Sequence, residues 1–274
     1  MLNKIRKNSL LFYFIIAYGV SWSFEIPIAL SVQGILTSKV PLWLHYFASF
    51  GPIIAALIVT GLTDGRRGIR ELIARIFKWR VDFGYYVFAI LAPIGLFTLA
   101  FLVNRVVTGE WSDLRLLGEV DYLPYLSPLG VLGLWLLTFG FGEETGWRGY
   151  ALPRLQKTRS AASATLILAL VWACWHLPAF FYRDTYTELG IMGFPMFVFS
   201  LLFAAMIFTW LYNSTGGSIL IVIIFHAFFN WLSVSEAGGQ FVAAIMTVPV
   251  IVWALFIPRT YGIENCAPVE KQTA

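Results

Sequence analysis

Long apolar runs, separated by short polar stretches, divide the chain. They fall at about 10–32, 42–62, 85–106, 128–156, 161–181, 193–212, 219–233 and 241–257. Most approach the roughly 20 residues that a helix needs to cross a bilayer. They are continuous, where the strands of a membrane barrel would alternate in polarity. The pattern predicts an all-α, polytopic transmembrane helical bundle of about eight spans. Residues 1–274 then form a single integral-membrane domain, with no soluble linker and no internal repeat. Lys4, Arg6 and Lys7 precede the first run, the layout of a signal peptide. Its length, with Glu25 and Pro27 inside it, favours a retained helix.

Two inter-span stretches are distinctive. Between 64 and 80, Ile69, Leu72, Ile73 and Ile76 fall at helical spacing among Arg66, Arg67, Arg70, Arg75, Lys78 and Arg80. This is the pattern of a short helix lying on an anionic membrane surface. From Thr108 to Tyr125 the chain is polar, with Glu110, Asp113, Glu119 and Asp121 against Arg115.

Composition agrees with the pattern. Hydrophobic residues make up 59% and charged ones 12%, against about 25% charged in a soluble domain. The net charge of +4 reads as basic loops that orient a membrane protein, not as a nucleic-acid surface. With eight spans, the side holding both termini carries fifteen Lys and Arg, counting Arg148 and Arg259, and the other side four: Lys39, Arg105, Arg115 and Arg183. Both termini are therefore expected in the cytoplasm. Seven spans would put the tail and Arg259 outside. Cys174 and Cys266 have no metal-binding or disulfide spacing.

The candidate chemistry is the set of polar residues inside apolar spans, which are costly there and tend to converge on cavities. The fourth run carries Glu143-Glu144-Thr145-Gly146-Trp147-Arg148, the fifth Trp172 and His176, the seventh His226 and Asn230. Residues i and i+4 share a helix face, so Glu144 and Arg148 are neighbours, as are Trp172 and His176, and His226 and Asn230. Glu143 points about 100° away from Glu144 and is free of Arg148. At 1.5 Å per residue, Glu143 lies roughly 17–20 Å from the basic end of its span, His176 roughly 24 Å and His226 about 14 Å from theirs. These depths overlap, which predicts one wet pocket reached from the cytoplasmic side. Each residue alone has a structural reading: an ion pair joining helices for Glu144 and Arg148, an interhelical hydrogen bond for a histidine. His45, near a span end with no polar partner at helical spacing, and Glu25 are assigned to structure.

Taken in order, Glu143-Glu144-x-x-x-Arg148, Trp172-x-x-x-His176 and His226-x-x-x-Asn230 resemble the three motifs of the CPBP family. That family comprises the type 2 CAAX prenyl endopeptidases and the bacteriocin-processing, abortive-infection proteins. The likeness covers about 125–235, the expected catalytic core. Trp172 stands where the family often has Phe.

The resemblance implies an intramembrane endopeptidase acting on a membrane-associated peptide: prenylated CAAX-type, bacteriocin-like or pheromone-like. Glu143 would be the general base and His176 would orient the water, with His226 and Asn230 facing the oxyanion. Glu144, Arg148 and Trp172 would support them. A zinc ion on Glu143, His176 and His226 is an alternative to metal-free chemistry. A ligated Glu143 could not readily serve as the free base too, and the HExxH helix is absent. Expected partners are a peptide or lipidated protein and the bilayer, with no nucleic acid, in a bacterial plasma membrane. A non-catalytic immunity or scaffold protein on the same fold, or a small-solute transporter, stay open at this point.

Overall fold

Each apolar run folds as a helix in the computed structural model, which describes residues 2–120, 123, 125–239 and 241–274. Asp121 of the acidic stretch lies outside the described residues. A short basic helix, Leu2–Lys7, leads into α1 (Ser9–Val32). Next comes α2 (Leu42–Thr63), interrupted at Ser49-Phe50 ahead of Gly51-Pro52. The amphipathic α3 (Gly65–Ile76) buries Leu72 and Ile76, while Ile73 and the following Phe77 and Trp79 stay exposed. Then follow α4 (Phe83–Thr108), α5 (128–156) and α6 (Ala161–Phe181). The α-helical part of α6 ends at Trp175, where His176-Leu177-Pro178 tightens it into a 3₁₀ turn. The chain closes with α7 (Ile191–Ser214), α8 (Ile219–Ser233) and α9 (Val242–Asn265).

Among the described residues six helices, α1, α2, α4, α6, α7 and α9, are long and apolar enough to cross a bilayer. The other two expected spans, α5 and α8, are helical where predicted but fall short of that standard. At 1.5 Å per residue α8 reaches only about 22 Å. The apolar character of α5 is broken by Glu143, Glu144 and Arg148, and its helix by two turns of different pitch. The two substandard helices are thus among those that carry the polar motifs.

Hydrogen bonds sort the inter-helix segments into two ends. At one end Arg154 on α5 donates to Asp64 at 2.6 Å, and Lys78 donates to the carbonyl of Gly216 at 2.7 Å. At the other, Gln33 donates to Phe181 O at 2.8 Å, and Gly118 N donates to Ser235 Oγ at 2.8 Å. Parallel contacts of α1 with α6, from Tyr18 to Val171 O and from Trp22 to Trp175 O, fix the same sense. The first end gathers Lys4–Lys7, α3, the Asn213–Ser218 turn and the C-terminal segment, so both termini share the basic end. Arg148 is a correction to the sequence count: it is 1% exposed and belongs to the core, not to a loop.

The tail departs from expectation as well. Helix α9 continues past Ile257 to Asn265, where Gly262 at φ +76 bends it. Gln156 and Asn213, paired at 2.8 and 3.1 Å, draw it in by donating to the carbonyls of Gln272 and Asn265. Buried amides, bonded to each other and to the tail, thus hold it against the basic end.

Candidate active site

The site begins in α5, which alternates α-helix with π-helical turns at Leu136–Glu143 and Trp147–Ala151. Such i→i+5 turns widen a helix and are frequent at functional sites. Here they accompany two adjacent carboxylates that are both buried, Glu143 at 3% and Glu144 at 0% exposure. Gly142 and Gly146 let this segment press against α2. A Cβ on Gly142 would stand 2.6 Å from Ser49 O, and one on Gly146 would stand 2.4 Å from Pro52 Cβ. Small residues at such crossings admit the backbone contact on which packing in a membrane depends.

The two glutamates then part company. Glu143 accepts a hydrogen bond from the indole N–H of Trp172 at 2.9 Å. Glu144 turns to α8: its Oε1 lies 2.8 Å from Nδ1 of His226 and accepts from Arg148 Nη1 at 3.0 Å. The guanidinium of Arg148 also lies 4.4 Å from the ring centre of Trp172 and 4.5 Å from that of Phe208. Ring faces rather than oxygens therefore balance much of this buried cation. The expected pairing of Glu144 with Arg148 is present, and the Glu144–His226 contact adds a second use for the same carboxylate.

Both motif histidines are oriented through Nδ1. That of His176 donates to the Trp172 carbonyl at 2.8 Å, a group that can only accept. That of His226 faces the Glu144 carboxylate. In each ring Nε2 remains for the cavity, the pattern by which the partner of one imidazole nitrogen sets the role of the other.

A cavity of about 260 Å³ is lined by Glu143, Trp172, His176, His226 and Asn230 together. All four expected catalytic residues and Trp172 thus share one space, with Glu144 and Arg148 packed behind it. Among the described residues, no three His, Cys, Asp or Glu side chains are grouped as metal ligands. Glu143 and His226 already spend Oε2 and Nδ1 on protein partners.

His45, assigned to structure from the sequence, also lines the cavity. Its Nδ1 is 2.5 Å from the hydroxyl of Tyr182, which donates to Glu25 Oε1 at 3.1 Å. The partners come from 137 and 20 residues away in the sequence, so helical spacing could not reveal them. Arg183, beside Tyr182, lines the cavity too.

The outermost lining residues, Arg183, Thr185, Ser233, Val234 and Ala243, follow α6, close α8 or open α9, all at the end away from the termini. Toward the basic end the space below Glu143 is filled by the buried side chains of Tyr13, Leu72, Trp147, Tyr150 and Ile219.

Comparison with known proteins agrees with this arrangement. Residues 124–232 match the family model described as type II CAAX prenyl endopeptidase, Rce1-like. That span contains every motif residue lining the cavity. A CAAX prenyl protease 2 of Methanococcus maripaludis is 27% identical over 184 residues. The alignment covers 65% of this chain and 67% of that protein, so the likeness extends beyond the motif-bearing segment. Three motifs on three helices meet in one buried cavity, and these matches support membership of the CPBP family, which includes the Rce1-like CAAX prenyl endopeptidases.

Proposed function

We propose that the cavity hydrolyses a peptide bond in a membrane-associated substrate, prenylated and CAAX-like or resembling a bacteriocin or pheromone precursor, with Glu143 as general base. Glu143 removes a proton from water while Nε2 of His176 accepts the water's other hydrogen and aims its oxygen at the scissile carbonyl carbon. As that C–O bond forms, the carbonyl oxygen takes up the electron pair. The amide of Asn230 and the Nε2–H of a protonated His226, paired to Glu144, face the resulting oxyanion. Glu143 then passes its proton to the amide nitrogen, the C–N bond breaks, and an acid and an amine result. Trp135, Phe139, Phe197 and Phe208 give the walls an aromatic character suited to an apolar substrate.

The observation that carries this reading is the convergence of Glu143, His176, His226 and Asn230 on one cavity from three helices. The test is cleavage of a farnesylated Cys-Ala-Ile-Met peptide by purified protein in detergent. Loss of a general base typically costs about 10²–10⁴-fold in rate, so Glu143→Gln is expected to fall by that amount. Wild-type turnover by Glu143→Gln would overturn the assignment.

A further inference from the structure

We infer that Arg183 binds the free C-terminal carboxylate of the substrate, which makes the cavity selective for a peptide cut within a few residues of its own C-terminus. The inference deepens the hydrolytic reading and rests on it for the presence of a scissile bond. The placement of Arg183 stands on separate observations.

Charge is scarce along the cavity wall. Among the described residues lining it, Arg183 is the one Lys or Arg and Glu143 the one carboxylate. A smaller space of about 90 Å³, lined also by Tyr46, Tyr182 and Asp184, shares Arg183 and Thr185 with the main cavity. Arg183 therefore stands, half-buried, where the two spaces meet. A guanidinium offers five N–H donors in a planar fork that fits a carboxylate through two parallel bonds. That number serves an acceptor within the protein and a bound anion together.

The backbone that carries this side chain is held in place. Tyr182, just before it, is buried, with its hydroxyl 2.5 Å from His45 Nδ1 and donating to Glu25 Oε1 at 3.1 Å. Arg183 N donates to Ala179 O at 2.9 Å, and Phe181 O accepts from Gln33 at 2.8 Å. A charged group fixed in this way gives selectivity at little cost in ordering.

Distance links the arginine to the chemistry. His176, proposed to aim the water, lies seven residues earlier on the same segment. At 1.5–2.0 Å per residue through the 3₁₀ turn, the two stand roughly 10–14 Å apart. A CAAX box ends its chain, so a bond cut within it leaves at most three residues, which span about 10 Å when extended. The leaving segment is thus the right length to run from the scissile carbonyl to Arg183.

Two farnesylated Cys-Ala-Ile-Met peptides, one a free acid and one a C-terminal amide, test this with purified protein in detergent. The wild type should show a KM for the acid about tenfold or more below that for the amide, the scale of a charge-assisted hydrogen bond, at similar kcat. Arg183→Gln should raise KM for the acid to that of the amide while cleaving the amide as the wild type does. Arg183→Lys keeps the charge but loses the fork and should retain only part of the preference. Equal KM for both peptides in the wild type, an equal loss on both in Arg183→Gln, or a full preference in Arg183→Lys overturns the proposal.

A binding arm separates this proposal from the hydrolytic reading. It follows the same peptides, carrying an N-terminal fluorophore, by anisotropy on Glu143→Gln with and without Arg183→Gln. If the wild type cleaves neither peptide, but the acid binds about tenfold tighter than the amide and Arg183→Gln abolishes the difference, the hydrolytic reading fails and the carboxylate site stands. Cleavage with no preference for the acid has the opposite meaning.

Discussion

The indole N–H of Trp172 meets Oε2 of Glu143 at 2.9 Å across the α5–α6 interface. The same residue's carbonyl accepts from Nδ1 of His176 at 2.8 Å. One tryptophan thus sets the position of the carboxylate and the tautomer of the imidazole proposed to share a water. Replacing it with phenylalanine keeps the ring and the backbone carbonyl but deletes the N–H. A hydrogen bond to a charged group contributes about 1.5 kcal/mol or more. Trp172→Phe should therefore lower kcat by roughly tenfold with little change in KM. Steady-state kinetics on the farnesylated peptide decide this, and unchanged kcat would show the bond to be idle.

Glu144 is expected to matter to folding and chemistry together. It is fully buried between Arg148 and His226, and removing one partner of a buried ion pair costs about 3–5 kcal/mol. Glu144→Gln should therefore unfold at a clearly lower temperature in detergent. The double variant Glu144→Gln/Arg148→Met removes the stranded cation and should recover much of that stability. It should not recover activity, because His226 has still lost the carboxylate that orients it. Recovery of both would reduce Glu144 to a packing residue.

The close crossing of α5 over α2 makes a sharper steric prediction. A methyl on Gly146 would meet Pro52 Cβ at 2.4 Å and the Tyr13 hydroxyl at 2.5 Å, whereas one on Gly133 in the same run meets nothing within 4 Å. Overpacking of this kind costs about 1–3 kcal/mol. Gly146→Ala should lower thermal stability and displace the adjacent glutamates, and Gly133→Ala should do neither. Unfolding curves for the two variants side by side make the comparison.

How much of this was legible in the residues depends on the distance over which each signal acts. Apolar runs marked all eight helices, because burial of a run in lipid is a local property. Spacing of i and i+4 likewise exposed Glu144 with Arg148, and Trp172 with His176. The contact of Glu144 with His226 spans 82 residues and has no local trace. Nor does the Tyr182–His45 contact, which spans 137 residues. The π-helical turns of α5 are carried by no periodicity that could be read beforehand. Arg148 was counted with the loops because charge alone does not tell a buried, ring-stacked guanidinium from a solvated one.

The Glu25–Tyr182–His45 chain joins α1, the loop after α6 and the start of α2 at the cavity wall. If Nδ1 of His45 donates to Tyr182, whose own proton goes to Glu25, then Nε2 of His45 is an acceptor turned to the cavity. A peptide N–H of a bound substrate would suit it, and this contact would be made equally in the ground and transition states. Losing such uniform binding raises KM and leaves kcat alone. A neutral hydrogen bond is worth about 1 kcal/mol, so His45→Ala should raise KM about fivefold at unchanged kcat. Tyr182→Phe, which frees the ring to turn, should reproduce part of that rise. N-methylation of the substrate at the bonded position should raise KM for the wild type but not further for His45→Ala. If His45→Ala instead lowers the unfolding temperature and leaves KM unchanged, the chain serves only to hold three segments together at the rim.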